Sequence, residues 1–143
     1  MTANQAADYF EKQLARRTGL KVVHLPSPLK EPGVHIKMLE RKVIVPRSPK
    51  AAQSSHELRL YVSVSGSCES ETGRREAVAA CETLAEYLKD ELHLENDAGL
   101  PIAGTRITSS ISEDDGILGD PDNEKLAWID DLHYVAISYP AGE

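Results

Sequence analysis

The sequence predicts an α+β fold: a mostly antiparallel sheet packed by two helices, in a single domain spanning residues 1–143. Three observations predict it. Glu57–Ser65 alternates strictly, with Leu58, Leu60, Val62 and Val64 on one face and Arg59, Tyr61, Ser63 and Ser65 on the other, the pattern of a strand with one face on a core. From Glu71 to Leu92, residues Ala77, Val78, Cys81, Leu84, Ala85, Leu88 and Leu92 recur at helical spacing. The order helix, several strands, helix, two strands leaves few crossovers for a parallel sheet.

The elements follow in order. Residues 2–17 form an amphipathic helix with Ala6, Tyr9, Phe10 and Leu14 on its apolar stripe. Thr2 or Asn4 caps it, Arg16 and Arg17 suit the negative end of its dipole, and Gly19 ends it. A short strand is expected at Leu20–His24, then a loop punctuated by Pro26, Pro28, Pro32 and Gly33. Val34–Leu39 and Lys42–Val45 read as two strands joined by a turn at Glu40 and Arg41, or equally as one longer bent strand. Pro46–Ser55 is a polar connection. After the second helix come a loop at 95–104, a strand at Thr105–Ser112, an acidic loop at 113–125 and a final strand at Ala127–Tyr139. That last strand carries apolar residues on both faces, Trp128, Leu132, Tyr134 and Ala136 on one and Ile129, Val135, Ile137 and Tyr139 on the other. It is therefore expected to be covered on both sides, by the core and by a second surface.

Composition narrows the function. Hydrophobic residues make up 41% and charged residues 27% of 143 residues, enough to bury a core. No apolar run approaches a bilayer span, and Met1–Leu14 has no apolar signal-peptide core. The expectation is a protein that is neither secreted nor inserted in a membrane. A net charge of −7 argues against non-specific nucleic-acid binding. The charge is polarised along the chain. Residues 1–75 hold 13 Lys/Arg and 7 Asp/Glu, a net of +6, and residues 76–143 hold 3 and 16, a net of −13. Two oppositely charged surfaces would suit ordered self-association; the equal alternative is that both segments interleave in the fold and their charges mix.

A search for chemistry finds little. Cys68 and Cys81 have no metal or redox spacing, and Cys81 falls on the apolar stripe of the second helix. The five histidines, His24, His35, His56, His93 and His133, form no metal-ligand spacing. His93 reads as a helix-end residue compensating the dipole beside Glu91 and Glu95. His133 near Asp130 and Asp131 is a conceivable catalytic pair, but no nucleophile elbow accompanies it and a sheet-surface histidine is the plainer account. V-S-V-S-G-S at 62–67 lacks the G-x-S-x-G frame, and D-P-D-N-E at Asp120–Glu124 lacks the calcium-loop frame. No catalytic residue, metal or cofactor is expected. The partner-binding candidates are charged: Arg41, Lys42, Arg47 and Lys50 in the basic half, and Asp114, Asp115, Asp120 and Asp122 in the acidic loop. An ordinary solvated surface is the alternative for the basic run, which has no interleaved aromatics.

The succession E-L-R-L-Y-V-S-V-S at 57–65, a polar loop, the helix at 75–92, an acidic loop and W-I-D-D-L-H-Y-V-A-I-S-Y at 128–139 resembles the tail-terminator proteins of long-tailed bacteriophages and prophages. The resemblance implies a structural subunit that forms a hexameric ring, caps the tail tube and joins it to the head. Its partners would be further copies of itself, the tail tube and head-completion proteins, in the bacterial cytoplasm during assembly and then in the virion tail. A head–tail adaptor or neck protein is the second expectation, and a small hydrolase using His133 the third.

Overall fold

The structure, a computed structural model, describes residues 1–24, 34–45, 56–65, 71–111, 117–120, 123–129 and 132–140; for Arg41, Ser65, Glu71, Arg74, 117–120 and 123–129 it describes the backbone alone. Helix α1 runs Ala3–Thr18 and begins where the sequence supplies a capping box. Thr2 Oγ1 accepts from Gln5 N at 3.2 Å, and Gln5 Oε1 accepts from Thr2 N at 2.8 Å, so two donors that a helix start would orphan are satisfied. Gly19 stops it at φ 72°, a left-handed conformation that costs a glycine nothing. Its N–H returns to the Ala15 carbonyl at 3.0 Å.

Strands β1 (Lys21–His24), β2 (His35–Ile44) and β3 (His56–Ser65) precede helix α2 (Glu71–Leu88), and β4 (Arg106–Ile111), β5 (Ile117–Asp120), β6 (Asn123–Ile129) and β7 (His133–Tyr139) follow it. The main sheet has the order β1-β2-β3-β7-β4, and β5 and β6 form a separate two-stranded sheet. All neighbours in the main sheet are antiparallel except β1 and β2, which are parallel. The architecture is thus α+β and mostly antiparallel.

Of the two accounts of 34–45, the single bent strand is the one formed. Glu40 pairs with Leu60 and Lys42 with Arg59, so Arg41 is an extra residue in a β-bulge. The bulge shifts the alternation by one. Ile36 and Met38 point into the core before it, and Lys42 lies on the opposite face after it. That phase change is what makes the sequence look like two strands.

Both helices cover one face. Ala6, Ala7, Phe10 and Leu14 of α1 and Ala77, Cys81, Leu84 and Leu88 of α2 share a single cluster with Ile36, Met38, Leu58, Leu60, Val62, Val135 and Ile137. The alanines let helix backbones approach the sheet closely. Each fully buried Leu, Ile or Phe contributes about 1.5–3 kcal/mol through loss of apolar surface to water.

Three expectations need correction. The second helix ends at Leu88, not Leu92. Ser109 Oγ of β4 donates to the Leu88 carbonyl at 2.7 Å and so satisfies a helix-end acceptor, while Leu92 exchanges two backbone hydrogen bonds with Ile107, at 3.0 and 2.7 Å. A strand partner distant in sequence has taken over residues whose own spacing is helical. The stretch 113–125 is not all loop, because 117–120 and 123–129 pair as β5 and β6. The final strand Ala127–Tyr139 is accordingly two elements, β6 and β7, that belong to different sheets. Within β7, Val135, Ile137 and Tyr139 face the helices and Tyr134 faces away. Trp128 pairs with Leu118 along the backbone, and its side chain lies outside the described residues.

Candidate functional site

The register places one set of side chains on the face of the sheet that carries neither helix. In one cross-strand row, Leu39, Tyr61, Tyr134 and Ser110 succeed one another across β2, β3, β7 and β4. In the next, the order is Lys42, Arg59, Ala136 and Thr108, and in the third Ile44, Glu57, Ser138 and Arg106. Lys37 precedes these rows on β2.

Tyr61 and Tyr134 meet edge to face, ring centroids 5.1 Å apart and planes at 64°, a favoured aromatic geometry. Leu39 and Tyr134 are 40% and 38% exposed, and Tyr134 is so although β7 is paired on both sides. Ala136 is small, so the chain dips between Arg59 and Thr108. The result is a shallow depression of about 370 Å³ bordered by Glu57, Arg59, Thr108, Ser110 and Tyr134. Arg59 Nε donates to Glu57 Oε1 at 3.1 Å on its rim, and Arg106 reaches Glu91 at 3.0 Å at the β4 edge. The surface is an apolar and aromatic stripe bordered by cations from three strands.

Among the partner-binding candidates, Lys42 is exposed on this face. Arg41 occupies the bulge beside it, with its side chain outside the described residues. Asp120 is placed in β5 by its backbone alone, and Arg47, Lys50, Asp114, Asp115 and Asp122 lie outside the described residues. The tyrosines and the flanking cations Arg59 and Arg106 were not assembled into a site from sequence. The alternation put Arg59 and Tyr61 on the wetter face, but only strand pairing joins them to Tyr134 and Lys42.

The histidines fall elsewhere. His133 is not on the sheet surface: it is 3% exposed, on the face covered by the helices. Asp130 and Asp131 lie outside the described residues. His93 is not a helix-end residue either. It stands beyond α2, and its Nδ1 donates to the Thr105 carbonyl at 2.8 Å. His24 lies between Glu40 Oε1 at 3.4 Å and Glu11 Oε2 at 3.9 Å, tying the edge strand to α1. Cys81 is buried, and Cys68 lies outside the described residues. Among the described residues no group of His, Cys, Asp and Glu is placed to hold a metal ion, and no helix is long and apolar enough to cross a membrane.

A second polar cluster has an architectural role. Gln13, 1% exposed on α1, donates through Nε2 to Tyr87 Oη at 2.8 Å and to the His93 carbonyl at 3.0 Å. Its Oε1 accepts from Glu95 N at 2.9 Å. Arg17 grips Glu95 with contacts of 2.6 and 3.1 Å, and Arg16 adds one of 3.0 Å. Partial burial alone would push the Glu95 carboxyl up, but hydrogen bonds and charge from the two arginines outweigh it and hold it below its ordinary value. Burial raises the Tyr87 phenol. These contacts fasten the segment between α2 and β4 to the first helix.

No protein-family model matches the chain, and no curated protein is significantly similar to it. A solved structure of a protein without a functional name aligns over 100% of this chain and 99% of its own, with a TM-score of 0.55 and 16% sequence identity. Likeness at that identity shows the fold alone, and the fold it shows is the α+β architecture described above.

Proposed function

We infer that the protein is a ring-forming structural subunit of a phage or prophage tail, a tail terminator that caps the tail tube and joins it to the head. One observation carries the reading. The sheet devotes one face to its helices and presents on the other a row of Leu39, Tyr61 and Tyr134 among Lys42, Arg59 and Arg106. Apolar and aromatic side chains at the centre of a polar surface are the composition of a protein–protein interface core. Copies that associate head to tail through two different surfaces form a ring where the rotation between them closes. The helix, strands, helix, strand succession read from the sequence resembles that of tail terminators, as the sequence itself does at roughly 57–92 and 127–139. Burial of His133 away from solvent weighs against the hydrolase alternative, which needs that imidazole to meet substrate.

Light scattering after size exclusion, across concentration, tests the reading, with negative-stain imaging of the same fractions. The expected result is a species near six times the 15.7 kDa chain mass, seen as rings. A monomer at every concentration, with no rings on tail tubes supplied in excess, would overturn it.

A further inference from the structure

We propose that the sheet face opposite the two helices is the receiving half of a head-to-tail contact, and that it docks the acidic segment 113–124 of a second copy. The proposal rests on the ring reading and names the two surfaces that would build it.

The first observation is a charge conflict. Lys42 and Arg59 are direct cross-strand partners on β2 and β3. Like charges directly opposite in an antiparallel pair destabilise the isolated sheet, and a carboxylate set between them reverses the sign of that interaction. Glu57 relieves Arg59 from along its own strand at 3.1 Å. Arg106, ion-paired with Glu91 at 3.0 Å, stands at the β4 edge of the same face.

The second observation is the depression over Ala136. Its border offers the Arg59 guanidinium and hydroxyl groups from Thr108, Ser110 and Tyr134, the donor set that a carboxylate accepts from. The Leu39–Tyr61–Tyr134 stripe beside it supplies apolar area that a bound segment would remove from water.

The third observation identifies the occupant. Segment 113–124, E-D-D-G-I-L-G-D-P-D-N-E, contains six carboxylates and no Lys or Arg, and it also contains Ile117 and Leu118. It therefore matches the face in both charge and apolar content. Within one chain the two halves interleave, with Arg16 and Arg17 paired to Glu95, so the match that counts is the local one between Lys42 and Arg59 and the six carboxylates of the segment.

The test uses two full-length variants. Lys42→Glu with Arg59→Glu makes the face acidic, and Asp114→Lys with Asp115→Lys makes the segment basic. Each alone should fall from the oligomer mass to the mass of one chain while keeping the circular dichroism spectrum of the folded chain. Mixed in equal amounts, they should recover the oligomer, because each face then meets a segment of opposite charge. A mixture that stays monomeric, or single variants that keep the wild-type mass, would overturn the docking while leaving the ring reading intact. A wild type that is itself monomeric would overturn both. Where a reversal variant fails to fold, Lys42→Gln with Arg59→Gln reads the same loss without introducing like charge beside Glu57. Titration of a fluorescent single-stranded oligonucleotide covers the competing occupant. Binding that is lost in the Lys42→Glu, Arg59→Glu variant while its oligomer persists would assign the face to nucleic acid and refute the proposal.

Discussion

Gln13 is a polar side chain in the interior of the helix–sheet core, and its replacement should cost more than any surface ion pair. Its three hydrogen bonds, at 2.8, 3.0 and 2.9 Å, satisfy Tyr87 Oη, the His93 carbonyl and the Glu95 amide. In Gln13→Met the side-chain volume is nearly kept while all three bonds are lost. Tyr87 is half-buried and its phenol can turn to water. The two backbone groups are part-buried, and each one left without a partner costs about 1–3 kcal/mol, toward the lower end where water reaches it. A loss of about 3 kcal/mol follows, a large share of the roughly 5–15 kcal/mol that stabilises an ordinary domain. Gln13→Ala adds a cavity and should cost about 1–2 kcal/mol more. Leu94, 0% exposed between the two anchored residues, couples this segment to the core, so the loss should appear in global unfolding. Urea denaturation followed by circular dichroism measures it. With an m-value of about 2 kcal/mol/M, the Met variant shifts the midpoint down by about 1.5 M. A Met variant within about 0.3 M of wild type would show that the segment is held by its other contacts and that the reasoning from Gln13 is wrong.

Other perturbations follow from the same geometry. Glu95 has a folded pKa below its ordinary value of 4.5, so its stabilising contribution is complete above that value and is lost as pH falls through the lower, folded one. Glu95→Gln should therefore flatten the acid side of the stability profile, and urea midpoints that fall in parallel for both proteins would contradict this. Leu84→Ala empties a fully buried position under the sheet and should cost about 2–5 kcal/mol, read from the same denaturation curves. Gly19→Ala forces a left-handed conformation on a residue with a Cβ and should cost about 1 kcal/mol, seen as a fall in Tm of a few degrees. Tyr134→Ala on the sheet face opposite the helices should leave monomer unfolding within about 1 kcal/mol yet weaken self-association by at least tenfold. An unchanged association constant would remove this face from the interface.

The elements whose periodicity is local were legible. The strand at 57–65 keeps one phase from end to end, and its four inward residues, Leu58, Leu60, Val62 and Val64, are at most 1% exposed. Thr2 and Gly19 mark the ends of α1 because caps are made by the residues next to them. Errors gathered where a distant partner competes. Leu92 continues the helical spacing of α2 but is claimed by Ile107 of β4. His133 stands in a stretch with apolar residues on both faces, and strand pairing decided which face the helices would cover.

What the sequence by itself determined is therefore the two-helix α+β class, the strand and helix that anchor it, and the separation of positive from negative charge along the chain. Tertiary structure alone decided that Lys42, Arg59, Tyr61, Tyr134 and Arg106 share one face. These residues come from four strands, and one of them depends on a bulge at Arg41 that shifts the alternation of β2 by one position. Periodicity within a strand tells which of its side chains go together. Only hydrogen-bonded register between strands tells which side chains of different strands are neighbours, because a slip of one residue sends every one of them to the opposite face.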